Sequence, residues 1–534
     1  MKRLPAHPFA EPGRDLRPWL VGAAACLLYL LTLSNHYSGD SIEYALAIES
    51  GERGLLLDPY HPLMHPLGLL FYRLWQAAGW TGRALAPLQV LNALAGGLCA
   101  GLVTAIAGRL HRNHPGGSRR GALAAAAGVG FAVSGGSWML SVEAEFVTPA
   151  LALLLAVLWV LLGASPATAA RRSYPVLLAA ATAVAVAGYV SSALVVPVVL
   201  VGLLADDRLA PAVRRRHCLA YVATVLLLSA PAYLMFLAAW SGGRWEYVPA
   251  YFFGRSYGHF TLLNLPHGIY AFLRSLALYP HLSLGGTTRD LLARASTAGR
   301  LLFAGYHGLI LLAVLAPIGL AWRHRRRLWH GARRPLLVLG TWATVFAAFG
   351  FYWTPGDQSF WLPVLGAWWL LVALVAAAGN AETAGRSLTV LLVAVVGLAA
   401  GNALFEVIPR HDIRRNAAYQ MAGQVRAHTT PEDVVLARGN DIVGLYLTYL
   451  DDRQVLYVPS EPEEDLWESL FHVPAVQAAD RLVVIDSDDR RAARWQELLE
   501  LLQKRTPGRW FGSAPDWHTG SGLVFELNSM METR

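Results

Sequence analysis

The chain reads as a polytopic α-helical membrane protein of about eleven transmembrane helices, carrying a small C-terminal extracytoplasmic α/β domain. Three observations predict this: apolar runs of membrane-spanning length, arginine clusters between them, and a change of character near residue 405. Of 534 residues, 55% are hydrophobic and 15% charged, with mean hydropathy +0.39, against roughly 25% charged in soluble domains. A helix needs roughly 20 apolar residues to cross the hydrocarbon core, fewer when it is short and packed among others. Such runs lie at 17–34, 84–108, 120–138, 145–164, 174–189, 192–205, 217–240, 299–322, 336–353, 359–378 and 387–405. The first follows a basic leader without a small-residue cleavage site, so it reads as a retained helix.

Charge sets the orientation. Residues 1–405 hold 30 Arg and Lys against 15 acids, and residues 406–534 hold 14 against 21, which gives +15 and −7. The basic residues cluster at Lys2/Arg3/Arg14/Arg17, Arg109/Arg112/Arg119/Arg120, Arg171/Arg172, Arg208/Arg214/Arg215/Arg216 and Arg323/Arg325/Arg326/Arg327/Arg333/Arg334. Short clusters between apolar runs mark cytoplasmic loops and argue against a nucleic-acid-binding face. Eleven spans place all of them in the cytoplasm. Residues 1–16 are then a cytoplasmic leader, 17–405 the transmembrane domain and 406–534 a soluble extracytoplasmic domain. The loops 35–83, 139–144, 240–298 and 354–358 lie outside as well. His61 to Trp80, with Pro62, Pro66 and Arg73, does not fit as a span and reads as an interfacial helix with Trp75 and Trp80 at headgroup level. The three cysteines fall in or beside apolar runs, which leaves no disulfide framework or CxxC zinc site.

The spans hold almost no ionisable side chains, whereas ion-coupled transporters place such groups near the midplane. Carboxylates gather instead in the outside loops. In GDSIEY, Asp40 and Glu43 are three residues apart and share a helix face, a base beside an orienting group; the same pair reads equally as a capping box. In SWMLSVEAEFVTP, Glu143 and Glu145 are either solvated acids at a loop end or contacts to a sugar or divalent cation. His61 and His65, in HPLMHP, have the spacing of paired metal ligands, but the prolines favour a turn with surface histidines. Asp357 lies in a short late loop. The loop 240–298 carries Arg255, His259, Arg274, His281 and Arg289, and suits a lipid phosphate or anionic headgroups in general.

Four landmarks in order, GDSIEY, HPLMHPLGLLFYRL, SWMLSVEAEFVTPALALL and FYWTPGDQSFWLP, resemble the GT-C superfamily of membrane glycosyltransferases, which includes protein O-mannosyltransferases and aminoarabinose transferases. The resemblance covers residues 17–378. It implies an inverting enzyme that moves a sugar from a polyprenyl-phosphate donor to a protein, lipid or glycan hydroxyl at the outer face of a bacterial plasma membrane. Carried onto this sequence, Asp40 is the base and Glu43 positions acceptor or sugar. Glu143 and Glu145 flank the sugar or a metal, Asp357 lines the same cavity, and a basic residue such as Arg255 stabilises the leaving phosphate. The chain departs from the family pattern with Ser191 and Ser192 where relatives carry a histidine pair, and in lacking the proline pair of the histidine segment. No cofactor is required by the pattern; a divalent cation is the one candidate. The rival readings are a cell-envelope polymerase or ligase, and a lipid or polysaccharide exporter.

After Asn402, alternating elements predict helices near 412–428, 441–450, 463–471 and 490–504, and strands at 433–437, 455–458, 481–486 and 523–527, a mainly parallel α/β arrangement. No GxGxxG or P-loop is present, so no nucleotide is expected. Asp486 to Arg491 reads as a helix cap.

Overall fold

The structure, a computed structural model, describes residues 15–111, 119–246, 248–249, 261–277, 296–379, 381–438, 442–458, 473–474, 481–486, 510–512, 518–519 and 522–529. Each apolar run predicted as a span falls on helix: α1 (Arg17–Leu31), then α2 (Gly39–Ser50) and α3 (Met64–Ala77) in the first loop, α4 (Leu85–Leu110), α5 (Arg119–Val133), α6 (Gly135–Val142) and α7 (Val147–Gly163). There follow α8 (Tyr174–Gly188), α9 (Val195–Leu204), α10 (Pro211–Ser241), α11 (Asn264–Leu276), α12 (Thr297–Trp353), α13 (Leu362–Ala377) and α14 (Ala381–Asn402). By length and composition five described helices can cross a membrane, or six if the bent pair α5–α6 is one span. The protein is an integral membrane protein.

Helix ends sort by charge. Arg109 Nη1 donates to Trp159 O (2.9 Å), Arg208 Nη1 to Ala164 O (3.1 Å), and Arg334 to Gly202 O (3.0 Å) and Leu161 O (2.9 Å). These guanidiniums satisfy carbonyls that a helix C-terminus leaves without partners. Buried Asp206 pairs with Arg208 (2.7 Å) and Arg334 (3.4 Å). Arg109 on α4, Arg208 just after α9 and Arg334 on α12 therefore meet at one end of the bundle. Helix α12 covers two predicted spans. Its Tyr306 hydroxyl donates to Asn402 Oδ1 (2.7 Å), Arg334 lies at the arginine end, and Phe351 O accepts from Asn264 Nδ2 (2.9 Å). The chain thus reverses at Ala332, where φ −139° and ψ 28° leave helical geometry.

The predicted span 120–138 is broken in two. Between α5 and α6 the axis turns by 60° at Ser134, which is extended (φ −65°, ψ 140°). Its hydroxyl donates to Gly130 O (2.7 Å) and accepts from Trp369 Nε1 (2.9 Å). Gly136 then passes so close to Ser275 that an added Cβ would sit 3.1 Å from its Cα. The bend carries the acids at 143 and 145 inward. The interfacial segment is helical as α3, with Leu70 and Leu74 both 58% exposed on one side and Met64, His65, Gly68 and Tyr72 buried on the other. That is the division an interfacial helix needs.

At the C-terminus, α15 (Ala417–His428) and α16 (Ile442–Asp451) accompany β1 (Val434–Arg438), β2 (Gln454–Val458), β3 (Arg481–Asp486), β4 (Trp510–Gly512), β5 (His518–Thr519) and β6 (Gly522–Ser529). Strand order is β2-β1-β3-β6-β4, with β5 on β6. The sheet is mixed, not mainly parallel: β1 runs parallel to β2 and β3, whereas β6 is antiparallel to β3, β4 and β5. The predicted helices near 463–471 and 490–504, and the cap after Asp486, lie outside the described residues.

This segment packs on the first loop. Ile42, Ala45 and Ile48 of α2 share a core with Val425, Val435, Leu445 and Tyr446. The Tyr446 hydroxyl accepts from Tyr37 N (2.9 Å) and Asn416 Nδ2 (2.8 Å). The Tyr449 hydroxyl accepts from Leu85 N (3.1 Å) and donates to Glu49 Oε1 (3.0 Å), while Arg83 lies over its ring at 3.9 Å.

Candidate active site

Five separate pieces of chain converge on a cavity of 930 Å³: the first loop through Asp40, the α6–α7 turn, Arg274 on α11, the turn at Gly356–Ser359, and the stretch from Arg410 to Gln420. Four predicted residues line it together: Asp40, Glu143, Glu145 and Asp357. Glu43, His61 and His65 are outside its lining.

Ser38, and not Asp40, caps α2: its side chain accepts from Ser41 N at 3.0 Å. The capping-box reading of Asp40 and Glu43 is therefore overturned. Asp40 stands in the first turn, where the helix dipole favours a negative charge, and solvent in the cavity reaches it. Glu43 is half-buried one turn further on.

The other two acids are not solvated loop-end groups. Glu143 is 3% and Glu145 8% exposed, because the break at Ser134 folds α6 back into the bundle. Gln89 Nε2 ties Ser34 O (2.7 Å) to Val142 O (2.9 Å), and Asn92 Nδ2 donates to Glu143 O (2.8 Å). The Ser38 hydroxyl donates to Glu145 Oε1 at 2.6 Å. Glu143 pairs with Arg410, whose Nε also donates to Glu406 Oε1 at 2.7 Å. Asp357 caps the next turn by accepting from Ser359 N at 2.8 Å.

Carboxylates crowded away from water resist ionising. Partial desolvation by the cavity walls, then the Asp357 charge, raise Asp40, with His61 opposing. Burial, then Asp40 and Glu143, hold Glu145 well above the usual range. Glu143 rises to about 7, since burial outweighs the Arg410 guanidinium. Burial and mutual repulsion therefore favour the protonated forms of the carboxyl groups that line the cavity.

The histidine segment sits behind the cavity. His61 Nδ1 is 2.7 Å from Asp58 Oδ2, and its ring stacks on Tyr189 at 4.7 Å. His65 is no surface turn residue. Helix α3 starts at Met64 and tolerates Pro66 in its first turn, where proline costs no helical hydrogen bond. The ring of His65 is 3% exposed and meets Tyr44 edge-on at 5.1 Å; burial pushes its pKa down to about 4. Among the described residues no group of three or more His, Cys, Asp or Glu side chains is arranged to hold a metal ion. Arg255 and His259 lie outside the described residues. Arg274, from the same basic loop, does reach the cavity, and it has no carboxylate partner among the described residues.

The chain resembles the crystal structures of ArnT from Cupriavidus metallidurans. With the form bound to undecaprenyl phosphate it shares 15% identity at TM-score 0.55, covering 96% of this chain and 98% of that one. With the apo form the TM-score is 0.57 at 15% identity, covering 95% and 97%. The chain has the GT-C fold. No protein-family model and no curated protein matches the sequence.

Within this fold the carboxylates and Arg274 were legible in the sequence, and Arg410 was not. Arg410 sits past the last apolar run and beside the DIRR sequence, so it reads as an ordinary soluble-domain charge. Structurally it rides on the end of a continuous helix from Glu382, through a π turn at Ala403–Val407. Such turns cluster at functional sites. Gln358, 4% exposed and also in the cavity lining, carried no signal beyond adjacency to Asp357.

Proposed function

We propose that the protein transfers a sugar from a polyprenyl-phosphate donor to an acceptor hydroxyl inside the Asp40 cavity, with inversion at the anomeric carbon. The observation that carries this reading is the meeting of Asp40, Glu143, Glu145 and Asp357 with Arg274 in one cavity. The likeness to ArnT supports the donor class, since one of those structures holds undecaprenyl phosphate. Asp40 takes the proton of the acceptor hydroxyl as its oxygen attacks the anomeric carbon. The bond from that carbon to the phosphate oxygen breaks in the same displacement, and negative charge grows on the leaving phosphate. Arg274 offers that phosphate a guanidinium already in place, which stabilises developing charge without reorganisation. Glu145, whose ionisation burial and its acidic neighbours oppose, donates a hydrogen bond to a sugar hydroxyl from its protonated form. Glu43, His61 and His65 support the wall behind Asp40. The cavity end of the bundle is the outer face, because the arginine clusters occupy the opposite end.

Membranes containing the protein, supplied with an isotopically labelled polyprenyl-phosphate sugar, should yield a product of inverted anomeric configuration by NMR. Retention of configuration, or transfer only from a soluble nucleotide sugar, contradicts the proposal.

A further inference from the structure

At the opposite end of the bundle, a second cavity of 330 Å³ runs between α12 and α14. Leu312 and Leu320 form one wall, Val390 and Ala394 the other, and Trp369 the floor. Trp369 is 1% exposed, whereas Leu312 and Val390 are each 41% exposed, so the groove opens sideways onto the membrane. Its far end is different: Arg323, Thr383, Arg386 and Ser387 line it, and Arg119 approaches Gly385 beside them. The only carboxylate at this mouth among the described residues is Glu382, 2.7 Å from Arg386. Both partners of that pair are largely exposed, so it is weak and readily exchanged.

We propose that this groove holds one anionic phospholipid of the inner leaflet, its phosphate on Arg323 and Arg386 and an acyl chain against Trp369. In a bilayer an apolar groove open to the side fills with hydrocarbon and not with water, so the headgroup determines which lipid stays. Arg323 and Arg386 against the exposed Glu382 select a negative headgroup, and basic pockets between transmembrane helices on the cytoplasmic side hold such lipids. Arginine pairs a phosphate through two parallel hydrogen bonds, and a zwitterionic headgroup weakens that pairing with its own ammonium. The hydroxyls of Thr383 and Ser387 add donors at the same level. This site is independent of the sugar-transfer reading, because no residue is shared with the Asp40 cavity.

The test uses full-length protein in nanodiscs with phosphatidylglycerol carrying a photoactivatable acyl chain, and peptide mass spectrometry to map the cross-links. Labelling should concentrate in residues 312–323 and 383–394, exceed that by phosphatidylcholine of the same chains roughly tenfold, and fall to the phosphatidylcholine level in R323E/R386E. Ala316→Phe, which fills the groove, should abolish labelling there by either lipid. Equal labelling by the two lipids overturns the proposal, as does unchanged labelling in the charge-reversed variant. Preferential displacement by undecaprenyl phosphate would assign the groove to a polyprenyl lipid and overturns it too. Should R323E/R386E fail to elute as a single species, the comparison of the two lipids on the wild type decides alone.

Discussion

Desolvation and then the negative charge of Asp357 raise the pKa of Asp40, and that direction gives the pH dependence a sign. The base is active when ionised, so transfer should rise with pH through an acid limb above the ordinary carboxylate range. D357N removes the neighbouring charge, lowers the Asp40 pKa and should move that limb to lower pH; a limb that stays in place contradicts the assignment. The Glu143–Arg410–Glu406 cluster gives a second prediction. Replacing Arg410 with Met leaves two buried carboxylates facing each other, and breaking a buried pair costs about 3–5 kcal/mol. Melting in detergent should fall accordingly, and recover in part with E143Q. At this scale the sequence showed Asp40 and Asp357 through their position beside spans. It misplaced the cap of α2, because Ser38 and Asp40 are both good capping residues and only the backbone decides between them.

Elements were legible where composition alone defines them. Every apolar run became helix, since a backbone in hydrocarbon must satisfy its own hydrogen bonds, and the segment that did not fit as a span is the separate helix α3. The break at Ser134 was not legible: it depends on Trp369, far away in the chain, as a hydrogen-bond partner. The antiparallel return of β6 was hidden in the same way, because alternating strands and helices carry no sign for a strand that reverses. Close approach of α1 and α4 rests on glycines, with an added Cβ at Gly97 falling 2.7 Å from Gly22 O, the small-residue packing common in membranes. Gly97→Leu should therefore cut the yield of folded protein, read as monodisperse material after extraction, whereas Val184→Leu on an exposed face of α8 should leave it unchanged.

For the molecule as a whole, Arg208 and Arg334, from two of the clusters predicted to share one side, meet at the carbonyl ends of α7 and α9. The acids and the C-terminal segment gather at the other end around one cavity. Sequence reading reached this division because topology signals are written as charge counts between spans. It did not reach the role of the C-terminal segment in walling the cavity, which depends on Tyr446 and Tyr449 docking onto the first loop. That convergence makes a catalytic base of Asp40 the central claim. The most direct measurement is sugar transfer from a labelled polyprenyl-phosphate donor by membranes carrying equal amounts of wild type and D40N. A loss of about 100-fold or more, as for removal of a general base, is the predicted result; D40N activity equal to wild type would contradict it.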